Sequence, residues 1–99
     1  MKYFFCKLHP PRPDFVQTIT PQEERLMQAH GAYWKAMMDR GLVAAFGLVG
    51  DPKGAYGVGI LTLDDESDPH ALTSEDPTMQ ARAGFAYEIH PMPRAVTRS

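Results

Sequence analysis

The stretch Thr20–Gly41, TPQEERLMQAHGAYWKAMMDRG, reads as a helix with both of its ends written in. Thr20 stands at the N-cap, Pro21 at the first helical position, and Glu23 where its carboxylate can reach back to the Thr20 amide, which together make a capping box. Gly41 supplies the left-handed residue that stops it. The spacing predicts a helix from about Pro21 to about Arg40. At about 100° per residue, Leu26, Met27, Tyr33, Trp34, Met37 and Met38 fill an arc of roughly 140°, and His30 falls near its centre. A titratable ring in the middle of an apolar stripe has two readings. Packing against a backbone carbonyl or a hydroxyl is the commoner fate of a lone histidine. Projection into a pocket, where an imidazole moves protons near neutral pH, is the functional one, and it requires an orienting partner.

Outward from this helix the chain alternates between strand and turn signals. Lys2–Leu8 carries Tyr3 and Phe5 on one parity and Phe4, Cys6 and Leu8 on the other, as a strand covered on both faces does. HPPRPDF then breaks it, because prolines 10, 11 and 13 remove amide donors, and a stiff loop is expected. After Gly41, LVAAFGLVG and YGVGILTLD flank the turn formers DPKGA and predict a hairpin. DESDPHALTSEDPTMQARAG holds two Asp-Pro pairs and is compatible with one moderate helix or two short pieces. GFAYEIHPM alternates Phe85, Tyr87 and Ile89 against Ala86, Glu88 and His90, a strand with one buried face. PRAVTRS reads as a frayed tail.

The order βαββαβ predicts an α+β, ferredoxin-like subunit, a four-stranded antiparallel sheet with its helices on one face. One domain is expected over residues 1–99, with the core at about 2–92 and a flexible tail at 93–99. No further layer is available for the sheet's other face, so a partner subunit is expected to cover it.

Composition excludes several classes. Ninety-nine residues, 43% hydrophobic and 22% charged, suit one soluble domain with a modest core, and a large pocket is expected to need a second subunit. The net charge of −2, with lysines and arginines scattered, offers no stripe for nucleic acid, and no membrane segment is read. MKYFFCKLHPP reads as a first strand instead of an export signal. Cys6 stands alone, which precludes an intrachain disulfide or a cysteine metal site and suggests a reducing, cytoplasmic setting.

Asp76, in SEDPTMQ, is the carboxylate best placed to start a helix and point inward, although an Asp N-cap before proline is a common structural device. Asp51 and Asp68 also precede prolines and are assigned turn and cap duty. His9, His70 and His90 stand with His30 on four different elements at no recognised ligand spacing, so neither a metal nor a cofactor is expected. The glycines of GAYGVG follow a turn, which suits a bulge or a close approach and not a phosphate loop. Met27, Met37 and Met38 read as core filler.

HGAYWKAMMDRG, FGLVGDPKGAYGVGIL, SEDP and GFAYEIHPM, in that order, resemble the YciI-like (YCII-related) family of the dimeric α+β barrel superfamily. The likeness covers nearly all of Lys2–Met92. Gly47 matches a family glycine at the end of the second strand, whereas Leu48 stands where a proline is common. The resemblance implies a homodimer whose two sheets form a barrel, with a cleft beside a dyad that maps to His30 and Asp76. It implies a small-molecule enzyme, a lyase or isomerase in which His30 moves a proton and Asp76 holds its tautomer. A non-catalytic ligand-binding or accessory protein of the same fold is the alternative. His9, Arg12 and Tyr56 are weaker candidates for a rim that orients an anionic substrate.

Overall fold

The computed structural model describes residues 1–98. Along the chain run strand β1 (Lys2–His9), a single helical turn α1 (Phe15–Thr18), helix α2 (Pro21–Asp39) and strands β2 (Val43–Val49) and β3 (Tyr56–Leu63). Short helices α3 (Pro69–Ser74) and α4 (Pro77–Gln80) and strand β4 (Ala86–Met92) complete it. The strands form one four-stranded sheet in the order β2-β3-β1-β4, with every neighbouring pair antiparallel. This is the α+β, ferredoxin-like subunit expected from the order of elements. Residues 93–98 carry no helix or strand, and Ser99, the end of the expected tail, lies outside the described residues. Among the described residues no helix is long and apolar enough to cross a membrane.

Local chemistry sets the limits of α2. The Thr20 hydroxyl accepts from the Glu23 amide at 3.1 Å, and Glu23 Oε1 accepts from the Thr20 amide at 3.0 Å, the reciprocal capping box. At the other end Gly41 takes φ +79°, a conformation that strains any residue with a Cβ.

The core forms where one face of α2 meets one parity of the sheet. Trp34 and Met37, each 1% exposed, descend onto Cys6, Leu61 and Leu63, all of which are fully buried. Each buried apolar side chain of this size contributes about 1.5–3 kcal/mol. Trp34 can lie on the sheet because β3 carries Gly59 beneath it: a Cβ there would stand 2.6 Å from Trp34 Cη2. That is the close approach read from GAYGVG. In β2 a register irregularity between Val43 and Ala45 alters the alternation, so that Val43 and Phe46 both reach the core cluster. The opposite parity carries Tyr3, Phe5, Val58 and Ile60, all half-buried, with Phe5 directly between Ile60 and His90 in the register.

Two stretches differ in detail from the sequence reading. The stiff loop HPPRPDF does not run on to α2: it turns into α1, whose Gln17 and Thr18 amides both bond the Asp14 carbonyl. Of the two forms open to the Asp-Pro segment, the chain takes two short helices. Pro77 has no amide hydrogen and biases Asp76 to extended backbone (φ −59°, ψ 135°), which stops α3 and starts α4 afresh. Asp68 caps α3 by accepting from the His70 amide, and Asp51 accepts from the Lys53 amide in the hairpin turn.

Candidate functional site

α2 carries His30 one turn before Trp34, and the break between α3 and α4 carries Asp76. His30 Nδ1 lies 2.7 Å from Asp76 Oδ2. A carboxylate can only accept, so Nδ1 bears the proton and donates, which leaves Nε2 of the neutral ring as an acceptor. The His30 side chain is 18% exposed, whereas that of Asp76 is fully buried.

Four donors surround that buried carboxylate. Oδ2 accepts from His30 Nδ1, from Trp34 Nε1 at 3.0 Å and from the Tyr87 hydroxyl at 2.5 Å, and Oδ1 accepts from the Thr78 amide at 2.9 Å. Trp34 Nε1 is shared with the Tyr87 oxygen at 2.8 Å. Burial by itself would raise the Asp76 carboxyl, but the bonds from His30 and Tyr87, the charge of His30 and the Thr78 amide outweigh it. They hold the group below its ordinary value of 3.8. Burial, then the neighbouring Asp76 charge, pushes the Tyr87 hydroxyl upward, so it remains a donor. Asp76 thus meets both descriptions of it at once: Oδ1 caps α4 while Oδ2 receives His30.

His30 also forms part of the wall of a cavity of about 380 Å³. Leu8, Phe15, Ile19, Met27, Phe46 and Phe85 supply most of its surface, with Phe15 and Phe85 meeting edge to face at 5.3 Å between ring centres. Its size falls in the range of roughly 300–1,000 Å³ usual for small-molecule sites. A single chain thus supplies the walls of a cavity that was expected to need a second subunit, with Phe15 and Val16 of the unforeseen α1 among them. Met27, read as core filler, lies on the cavity wall instead. Val16 and Leu48 line the cavity while 45% and 69% exposed, which places two apolar side chains at its mouth.

The three rim candidates separate. Tyr56 lines the cavity. Arg12 does not: its guanidinium forks onto Glu23 Oε1 and Oε2 at 2.7 and 2.8 Å and bonds Thr18 through its hydroxyl and carbonyl. This pins α1 to the start of α2 and draws the Glu23 carboxyl down to about 2, chiefly through the Arg12 hydrogen bond. His9 lies outside the cavity as well, with Nε2 2.9 Å from Glu88 Oε1, while His90 Nε2 meets the other oxygen of the same carboxylate at 2.7 Å. His70 is exposed on α3. Burial pushes the Cys6 thiol up to about 12, which leaves no thiolate for chemistry.

Reading the sequence did not identify Tyr87 and Trp34 as the groups that hold Asp76. A signal existed, since both fell on faces read as buried, and a buried Tyr hydroxyl or Trp N–H nearly always has a partner.

No curated protein sequence matches the chain. Among solved structures, a formyltetrahydrofolate deformylase from Pseudomonas putida KT2440 is similar at 11% identity and a TM-score of 0.43, over 91% of this chain and 28% of that one. The chain thus spans little more than a quarter of that protein's length. The family model of the YCII-related domain matches residues 3–93, nearly the whole chain, and the protein belongs to that family.

Proposed function

We propose that the protein is a small-molecule enzyme, a metal-independent lyase or isomerase, in which His30 moves a proton at a ligand held in the apolar cavity and Asp76 positions it. The observation that carries this reading is the bond between His30 Nδ1 and the buried Asp76 in a ring that also lines the cavity. Asp76 selects the Nδ1–H tautomer, leaves the Nε2 lone pair to take a proton and stabilises the imidazolium that results. The electron pair released on the ligand passes into an adjacent carbonyl or unsaturated system. Return of the proton at a second carbon is isomerisation, and loss of a β substituent with its electron pair is elimination. A positioned acid–base group of this kind contributes roughly 10²–10⁴-fold in rate.

The working unit in this proposal is a homodimer in a cytoplasmic setting. A second copy covers the sheet face that carries Tyr3, Phe5, Val58 and Ile60, a half-buried apolar parity that lies outside the core cluster of the described residues.

Deuterium exchange into a bound ligand's acidic carbon tests the chemistry. His30→Gln is expected to leave the protein folded and to abolish exchange, and Asp76→Asn to weaken it, because an amide cannot stabilise the imidazolium. Undiminished exchange by His30→Gln would sink the proposal.

A non-catalytic ligand-binding protein is the second reading, favoured by the structural duty of Asp76 at the cap of α4 and as the acceptor of Trp34 and Tyr87. On that reading His30→Gln lowers stability by about 1–3 kcal/mol, since a buried group loses its partner, and no ligand proton exchanges even in the unaltered protein.

A further inference from the structure

The charge distribution around the cavity bears on what can enter it. Among the described residues no lysine, arginine, aspartate or glutamate lines the wall, and His30 and Tyr56 are its polar side chains. Of the basic side chains nearby, Lys53 stands outside the mouth, in a groove it shares with Val16, Leu48, Asp14 and Asp51, and does not line the cavity, while three others have partners of their own. Arg12 is forked onto Glu23 and Thr18, Lys7 Nζ lies 4.1 Å above the centre of the Tyr56 ring, and His9 meets Glu88. Behind His30 stands the buried Asp76 carboxylate. An anion entering this space would give up hydration without gaining a cation, and it would approach a fixed negative charge through a medium of low polarity. The hydrogen-bonding pattern is equally one-sided. With Nδ1 donating to Asp76, the ring in its neutral form has an acceptor at Nε2, for which a ligand must bring the donor.

We propose that the cavity takes an uncharged molecule with an apolar body and one hydroxyl or acidic C–H directed at His30 Nε2, and that it discriminates against carboxylates and phosphates of the same shape. This rests on the proton-transfer reading and names its substrate class. It also replaces the anionic substrate expected from Arg12, His9 and Tyr56, because the two basic members of that set are turned to Glu23 and Glu88. The two apolar side chains at the mouth, Val16 and Leu48, extend the same preference to the entrance.

A matched pair of probes tests it: 4-tert-butylphenol and 4-tert-butylbenzoate, titrated at neutral pH into the full-length protein. Trp34 is the chain's single tryptophan and its ring centre lies 6.4 Å from that of His30, so quenching of its emission, excited at the red edge, reports occupancy. The phenol is expected to bind roughly tenfold or more tightly than the benzoate. Leu48→Arg, which sets a cation at an exposed position of the mouth, is expected to narrow or reverse that ratio. A benzoate that binds the unaltered protein as tightly as the phenol overturns the proposal, as does binding of neither probe or a ratio that Leu48→Arg leaves unchanged. Both readings can fail separately. Phenol binding in a protein that exchanges no ligand proton sinks the catalytic reading and leaves charge selection intact, whereas proton exchange on an anionic ligand sinks charge selection alone.

Discussion

Trp34 rests against Gly59 with no room for a methyl group between them, and the same indole donates its Nε1 hydrogen to Asp76. Seating a helix side chain on the bare backbone of a central strand therefore contributes to aiming the carboxylate that holds His30. Gly59→Ala is expected to lower stability by about 1–3 kcal/mol, the usual cost of overpacking a well-filled core, and to weaken the bond at Asp76 as the indole shifts. Urea unfolding measures the first effect and the indole N–H proton resonance the second. A variant as stable as the parent, with that resonance unmoved, would show that Trp34 is not seated there.

Tyr87→Phe isolates the hydroxyl from the ring. The ring stays in the core beside Trp34, with 6.4 Å between ring centres, while Asp76 loses its donor at 2.5 Å. A hydrogen bond to a charged group is worth about 1.5–3 kcal/mol, and chemical denaturation should show a loss of that order. Because one donor fewer opposes the effect of burial, the Asp76 carboxyl should titrate higher in the variant than in the parent, which carbon-detected NMR of the side chain can follow.

Acid should destabilise the fold through three carboxylates. Glu23 and Glu88 are drawn from the ordinary value of 4.5 to about 2, Glu23 chiefly by its hydrogen bond from Arg12 and Glu88 chiefly by those from His90 and His9. Asp76 is also lowered, from 3.8, despite its burial. A depressed folded-state value means stability that is fully present above the unfolded-state value and is lost as pH falls through the folded one. The decline is thus expected between about 4.5 and about 2. Glu23→Gln and Glu88→Gln should each flatten part of that slope in melting curves recorded across the window; slopes identical to the parent's would contradict the assigned pairings.

The proposed dimer predicts sedimentation at twice the 11.1 kDa chain mass at micromolar concentration. Ile60→Glu, placed beside Phe5 in the middle of the uncovered face, should give a folded monomer, since a charge at the centre of an apolar contact is not solvated there. A parent protein that sediments as a folded monomer would remove the barrel from the account.

What the sequence determined by itself was everything that neighbours along the chain can settle. The capping box at Thr20 and Glu23, the left-handed stop at Gly41, the turn at DPKGA and the parity of β1 depend on interactions within a few residues, and each is visible as a pattern. Resemblance to a family then drew attention to His30 and Asp76, which local rules alone assign to a packed face and a helix cap. Tertiary structure decided the rest, because those contacts join residues far apart in sequence. His30 and Asp76 meet across 46 positions, Trp34 and Tyr87 across 53, and Arg12 finds Glu23 instead of the cavity across 11. No periodicity encodes such pairings. They follow from the register of β4 against β1, the seat that Gly59 leaves for an indole and the break that Pro77 imposes at Asp76, and these acquire their meaning when the helices close on the sheet.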